Sequence, residues 1–148
     1  MPNKSLEIFA DKVLEAIPLI ARGMLRKPAD VLTRGEVTIP QYATMDLIDK
    51  NGQLKMHEIA SELNISLPAA TGLVSRLVKM SFVKRCYDSK DRRIINIALT
   101  DKGKQVVGQI KDKRKELVTD LFGKLSEDER QKYLSILQKL VNFIKDEK

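Results

Sequence analysis

The stretch Phe82-Val83-Lys84-Arg85-Cys86-Tyr87-Asp88-Ser89-Lys90-Asp91-Arg92-Arg93-Ile94-Ile95-Asn96-Ile97-Ala98-Leu99 decides the fold. From Phe82 to Tyr87, and again from Arg93 to Leu99, it is rich in β-branched and aromatic residues. Ile95, Ile97 and Leu99 alternate as one face of a strand should. Asp88-Ser89-Lys90-Asp91 between the two runs is turn chemistry, because short polar side chains there bond to their own nearby backbone. The reading is a β-hairpin with a basic tip at Lys90, Arg92 and Arg93.

Immediately upstream the period becomes helical. Ser66 is a good N-cap for a helix from Leu67 to about Met80, with Pro68 in the first turn, where a missing N–H costs little. A shorter helix covers Met56 to Leu63, and Asn64 suits a left-handed turn between the two. Ala60 is small enough for close approach, while Ile65, Ala70 and Leu73 supply a shared apolar core. These features predict a helix-turn-helix, and the hairpin that follows makes it a winged one. Before it, Thr38 and Gln41 form a capping box that opens a helix running to about Lys50 and ended by Asn51-Gly52.

Long amphipathic helices flank this lobe. Leu6, Phe9, Ala10, Val13, Ile17, Ile20 and Met24 recur at helical spacing, and Pro18 within them predicts a kink or a break. Residues 28–37 read as a loop with a short ordered piece around Val31-Leu32. Thr100 or Asp101 caps a helix carrying Val106, Ile110, Leu117 and Leu121, closed by Gly123. Ser126 and Glu129 form a further capping box, followed by Tyr133, Leu134, Leu137, Leu140, Val141 and Ile144 on one face. The fold class expected is mainly α with a small β-hairpin wing. It forms one domain over residues 1–148, with the winged lobe at 38–103 and flanking helices at 1–37 and 104–148.

Charge is informative once it is located. Of the net +7, residues 66–104 hold nine basic side chains against Asp88, Asp91 and Asp101, a balance of +6. A solvated surface mixes signs, whereas a polyanion-binding face concentrates one. Charge alone leaves nucleic acid, an acidic partner and a chance cluster open. No apolar run approaches the roughly 20 residues a membrane helix needs, so no membrane partner is expected. The N-terminus lacks the apolar core of a signal peptide, and a single Cys86 forms no intramolecular disulfide; both predict a cytoplasmic protein.

A recognition helix of about fourteen residues, roughly 21 Å long, fits a major groove about 12 Å wide. The expected DNA-facing residues are Ser66, Pro68, Ala69, Thr71, Gly72, Ser75, Arg76 and Lys79, with Lys90, Arg92 and Arg93 on the wing. Ser66, Thr71 and Ser75 can bond to base edges or phosphates, and Arg76 suits bidentate contact with guanine. The helix N-terminus favours a nearby phosphate. Arg76 could instead pair with a carboxylate inside the fold. Gly72 either permits close approach to DNA or reflects only that nothing larger is needed. Asp88 and Asp91 are read as wing braces, since a carboxylate repels phosphate; an Asp91–Arg pair holding the wing is preferred.

The chain resembles the MarR, or multiple antibiotic resistance, family of regulators over nearly its whole length. The resemblance rests on Thr38-Ile39-Pro40-Gln41, on His57 to Leu63 with Asn64-Ile65-Ser66, on Leu73-Val74-Ser75-Arg76-Leu77 and on Phe82-Val83-Lys84-Arg85. Its most specific part is Asp88 to Arg93 followed by Leu99-Thr100-Asp101-Lys102-Gly103. It implies a sequence-specific regulator of transcription, usually a repressor, in which the first, fifth and sixth helices build a homodimer over a pseudo-palindromic operator. It also maps the minor-groove arginine of the wing onto Arg93. Ser81 stands where the family commonly has Gly, and Gly72 where it often has a larger polar residue.

The resemblance further implies a small aromatic or phenolic effector. Ile17, Met24, Tyr42 and Met45 are the candidate lining, and all four also read as ordinary core. Metal-sensing and redox-sensing variants fit poorly: only His57 and Cys86 are available, and Cys86 falls in a wing strand without an activating neighbour. No cofactor is expected. No nucleophile–base pair, paired acids or phosphate-cradling glycine loop marks an enzyme. The remaining alternative is a winged helix that binds protein or RNA.

Overall fold

The computed structural model describes residues 3–24 and 36–147; the expected ordered piece around Val31-Leu32 lies outside the described residues. The elements are α1 (Lys4–Met24), α2 (Ile39–Asn51), β1 (Gln53–Lys55), α3 (Met56–Glu62), α4 (Leu67–Lys79), β2 (Val83–Tyr87), β3 (Ile95–Leu99), α5 (Asp101–Phe122) and α6 (Glu127–Asp146). They form two compact units, Lys27–Lys113 and Met1–Arg26 with Arg114–Lys148.

Local signals set the helix starts in the first unit. Thr38 Oγ1 accepts from Gln41 N at 3.3 Å, and Gln41 Oε1 accepts from Thr38 N at 2.9 Å, so the capping box is complete. Gly52 ends α2 at φ +77. Met45, Ile48, Ile59, Val74, Leu77, Ile97, Val107 and Ile110 are fully buried and draw α2, α3, α4, β3 and the start of α5 into one core. Each large apolar side chain there contributes about 2 kcal/mol of transfer free energy. The buried Thr44 hydroxyl donates to Pro40 O at 2.8 Å, which removes the penalty for hiding it.

The wing is a hairpin of β2 and β3 with Val83 opposite Leu99 and Tyr87 opposite Ile95. The sheet has a third strand beyond the expected hairpin. β1 pairs antiparallel to β3, Gln53 opposite Ala98 and Lys55 opposite Asn96, giving the order β1-β3-β2. With three residues, β1 is too short to show alternation, and its pairing is set by contacts more than 40 positions away.

The wing root is fastened to α5. Thr100 Oγ1 donates to Ser81 O at 2.6 Å and accepts from Gly103 N at 3.0 Å, so Thr100 rather than Asp101 caps the helix. Thr100 N also reaches Phe82 O at 3.0 Å. Ser81 adopts φ +64, so the left-handed turn that glycine would favour is kept here by serine. Lys102 Nζ donates to Met80 O at 3.1 Å and stands 4.9 Å from the Phe82 ring centre. Lys111 bridges Asp46 at 3.2 Å and Asp49 at 2.7 Å, tying α5 to α2.

In the other unit, α1 runs through Pro18 without the break that residue predicts. Proline removes one backbone donor, and the carbonyl left without its usual partner belongs to Leu14, a residue 70% exposed in the single chain. Ser126 and Glu129 cap α6 reciprocally, at 3.2 and 2.8 Å. The Phe122 and Tyr133 rings stack at 5.2 Å. No residue of α1 or α6 is buried, and Leu6, Phe9, Leu14, Leu140, Phe143 and Ile144 are half exposed or more.

Candidate nucleic-acid interface

The turn between α3 and α4 places the start of α4 on the surface. Asn64 takes φ +53, and Ile65 N returns to Ala60 O at 3.0 Å. Ser66 Oγ then accepts from Ala69 N at 3.2 Å. Ala70, Val74 and Leu77 turn inward, which leaves Ser66, Pro68, Ala69, Thr71, Arg76 and Lys79 exposed, with Gly72 and Ser75 half-buried. Ser66 keeps its hydroxyl proton for a phosphate or base, because its oxygen serves the cap. Thr71 Oγ1 donates to Leu67 O at 2.9 Å, so its free capacity is that of an acceptor.

The wing tip is ordered by two carboxylates. Asp88 Oδ1 accepts from Lys90 N at 2.8 Å and from Asp91 N at 3.1 Å. Asp91 Oδ1 accepts from Arg93 N at 3.0 Å and Nε at 3.1 Å, while Oδ2 accepts from Nη2 at 3.3 Å. The Arg93 side chain is thereby held in a two-pronged pair while remaining 90% exposed. The bonds from Lys90 and Asp91 backbone depress the Asp88 pKa, and the Arg93 side chain depresses that of Asp91. A depressed carboxylate contributes its order above the ordinary value of 3.8 and loses it as pH falls below that value. Carboxyl titration by NMR should return both groups below 3.8, with the amide resonances of Lys90 and Arg93 moving only in that acid range. A normal value for Asp91 would remove its pairing with Arg93 from the solution structure.

Among the described residues, no hydrogen bond or ion pair holds the side chains of Arg76, Lys79, Lys90 or Arg92. Carboxylate pairing of Arg76, the alternative left open by its sequence, is therefore absent from these contacts. Lys84 and Arg85 on β2 are likewise exposed. Lys102, counted with the basic excess, instead clamps the end of α4. Between α3, α4 and the wing lies an open groove of about 360 Å³ to which Lys55, His57, Leu67 and Arg93 contribute. Lys55 joins this surface without any local sequence signal, because its place depends on the short strand β1, while His57 stands beside it in the first turn of α3.

The other sequence candidates fall elsewhere. Tyr42 and Met45 are buried in the lobe core at 6% and 0% exposure. In the other unit Ile17 is exposed and Met24 half-buried. Cys86 is a half-buried thiol opposite Asn96. Among the described residues no group of three potential metal ligands occurs, and no helix is long and apolar enough to cross a membrane.

Comparison with known proteins identifies the family and the fold. The MarR family model matches residues 37–95, from the start of α2 to the beginning of β3. The HTH-type transcriptional regulator YfiV of Bacillus subtilis is 32% identical over 115 residues, 76% of this chain and 72% of YfiV. The chain belongs to the MarR family. Its fold matches a MarR family protein from Bacillus stearothermophilus with a TM-score of 0.82, at 20% identity over 98% of this chain and 99% of that one. A single-site mutant of S. aureus MepR, solved bound to an oligodeoxyribonucleotide, is 25% identical with a TM-score of 0.65, covering 89% of this chain and 97% of that one. The exposed cations Arg76, Lys79, Lys90 and Arg92 all lie within the matched segment.

Proposed function

We propose that this MarR protein binds a pseudo-palindromic duplex operator as a homodimer and represses transcription until a small aromatic or phenolic molecule releases it. Each protomer sets α4 in a major groove and its wing over the adjacent minor groove. The observation that carries this reading is the group of exposed cations without partners among the described residues, Arg76 and Lys79 on α4 and Lys90 and Arg92 at the wing tip. Where the described residues set no carboxylates against these charges, they are left for phosphates and bases. Asp91 aims Arg93 rather than silencing it, because the pair is two-pronged and solvent-facing. The DNA-bound MepR relative supports the same partner.

The apolar faces of α1 and α6 support the dimer. Exposed patches of this extent on a single chain are normally covered, and two-fold symmetry would space the recognition helices by about one DNA turn, roughly 34 Å. Of the proposed effector contacts, Ile17 is open to a ligand, whereas Tyr42 and Met45 become reachable only if the lobe core opens.

Selection from a random duplex library, with the mass of the complex measured in parallel, tests the proposal. An inverted repeat bound by twice the chain mass is expected. Equal competition by RNA, or binding without an inverted repeat, would sink it.

A further inference from the structure

Gly72 lies in the middle of α4, where glycine lowers helix stability relative to alanine. No packing against the described residues requires it. A Cβ built there meets one atom within 4 Å, Nη2 of Arg76 at 3.7 Å, an ordinary contact distance. Gly103 differs sharply, since a Cβ there would run into the Phe82 carbonyl. The absent side chain at Gly72 therefore serves something outside the lobe's own packing, and its one neighbour indicates what.

Arg76 is four residues on, the position whose side chain leans back over Gly72. Its guanidinium lies along the helix one turn towards the N-terminus and is held by no carboxylate among the described residues. We propose that Gly72 is a specificity-determining position of this protein: the lane it leaves open lets Arg76 lie along α4 and present its paired donors to a guanine near the helix start. This rests on the reading that α4 enters the major groove. A larger residue would fill the lane and push the guanidinium outwards, away from the base edge and towards the phosphates. The one guanidinium of the recognition helix would then position the protein without reading sequence.

The test is sequence selection and operator binding with six purified variants: Gly72→Ala, Gly72→Leu, Arg76→Ala, the double Gly72→Leu/Arg76→Ala, Ser66→Ala and Thr71→Ala. Alanine fits at 3.7 Å, so Gly72→Ala should keep the selected sequence. It should also raise the melting temperature by about 3 °C through helix propensity. Gly72→Leu, with a strong helix former that donates to no base, should fold normally. It should reduce discrimination for one guanine by about tenfold. Arg76→Ala should do the same at the same base, and the double variant should lose no more than Arg76→Ala alone.

Additive losses would overturn the proposal, since Gly72 would then act apart from Arg76. So would an equal loss from Gly72→Ala, which would mean that DNA itself needs the space. If Arg76→Ala selects the parental sequence while Ser66→Ala or Thr71→Ala does not, α4 reads DNA but this proposal fails. If none of these changes alters the sequence, the groove reading fails with it.

Discussion

Gly103→Ala should destabilise the protein by about 3 kcal/mol, at the upper end for overpacking a tight site. The added Cβ would overlap the Phe82 carbonyl oxygen, and Phe82 C and Cα stand only 2.9 and 3.3 Å away. These are backbone atoms, so no rotamer change relieves the clash. Either the first turn of α5 or the wing root has to move. Movement would strain the Thr100 hydroxyl bonds to Ser81 O and Gly103 N, and the Lys102 bond to Met80 O. Gly108, in the same helix, is the natural control: a Cβ there meets nothing within 4 Å. Gly108→Ala should stabilise by up to about 1 kcal/mol. Urea unfolding of both variants measures the contrast. Equal effects of either sign would mean that α5 packs more loosely on the wing root in solution.

The same junction marks where the sequence stops being readable. Capping boxes at Thr38–Gln41 and Ser126–Glu129 are legible because every participant lies within four residues. The wing is legible for the same reason, since Asp88 and Asp91 bond to their near neighbours. Glycine at position 103 looks like one more residue of a family motif. Its reason, the Phe82 carbonyl 21 positions earlier, is a product of tertiary packing. The strand β1 is hidden because three residues carry no period, and with it goes the place of Lys55 beside the wing. Pro18 predicts a kink or a break; the helix of 21 residues runs through it, so of the two it is the break that one lost bond does not force.

The basic residues divide in a way that charge counting does not anticipate. Lys102 commits its ammonium to Met80 O and the Phe82 ring, and Arg93 is shared with Asp91, whereas Arg76, Lys79, Lys90 and Arg92 have no such partner among the described residues. This division sets the largest functional effect expected. If the dimer neutralises six or more phosphates, its operator affinity should fall by about a thousandfold between 50 and 200 mM salt. Arg92→Ala should weaken binding to all sequences alike, and should lower the slope of log affinity against log salt by about one for each phosphate it no longer neutralises. Arg93→Ala should weaken operator binding while leaving dimer mass and melting temperature nearly unchanged. Lys102→Met should do the opposite, lowering stability through the missing clamp at the end of α4 while the salt slope stays at the parental value. Affinity titrations at four salt concentrations, run beside thermal melts, separate these outcomes. If Lys102→Met and Arg92→Ala reduce the slope equally, having a protein partner does not mark which cations are withheld from DNA. If they separate as expected, the charges withheld from DNA are those clamped into the fold as Lys102 is, while Arg93, paired but 90% exposed, remains available with Arg92.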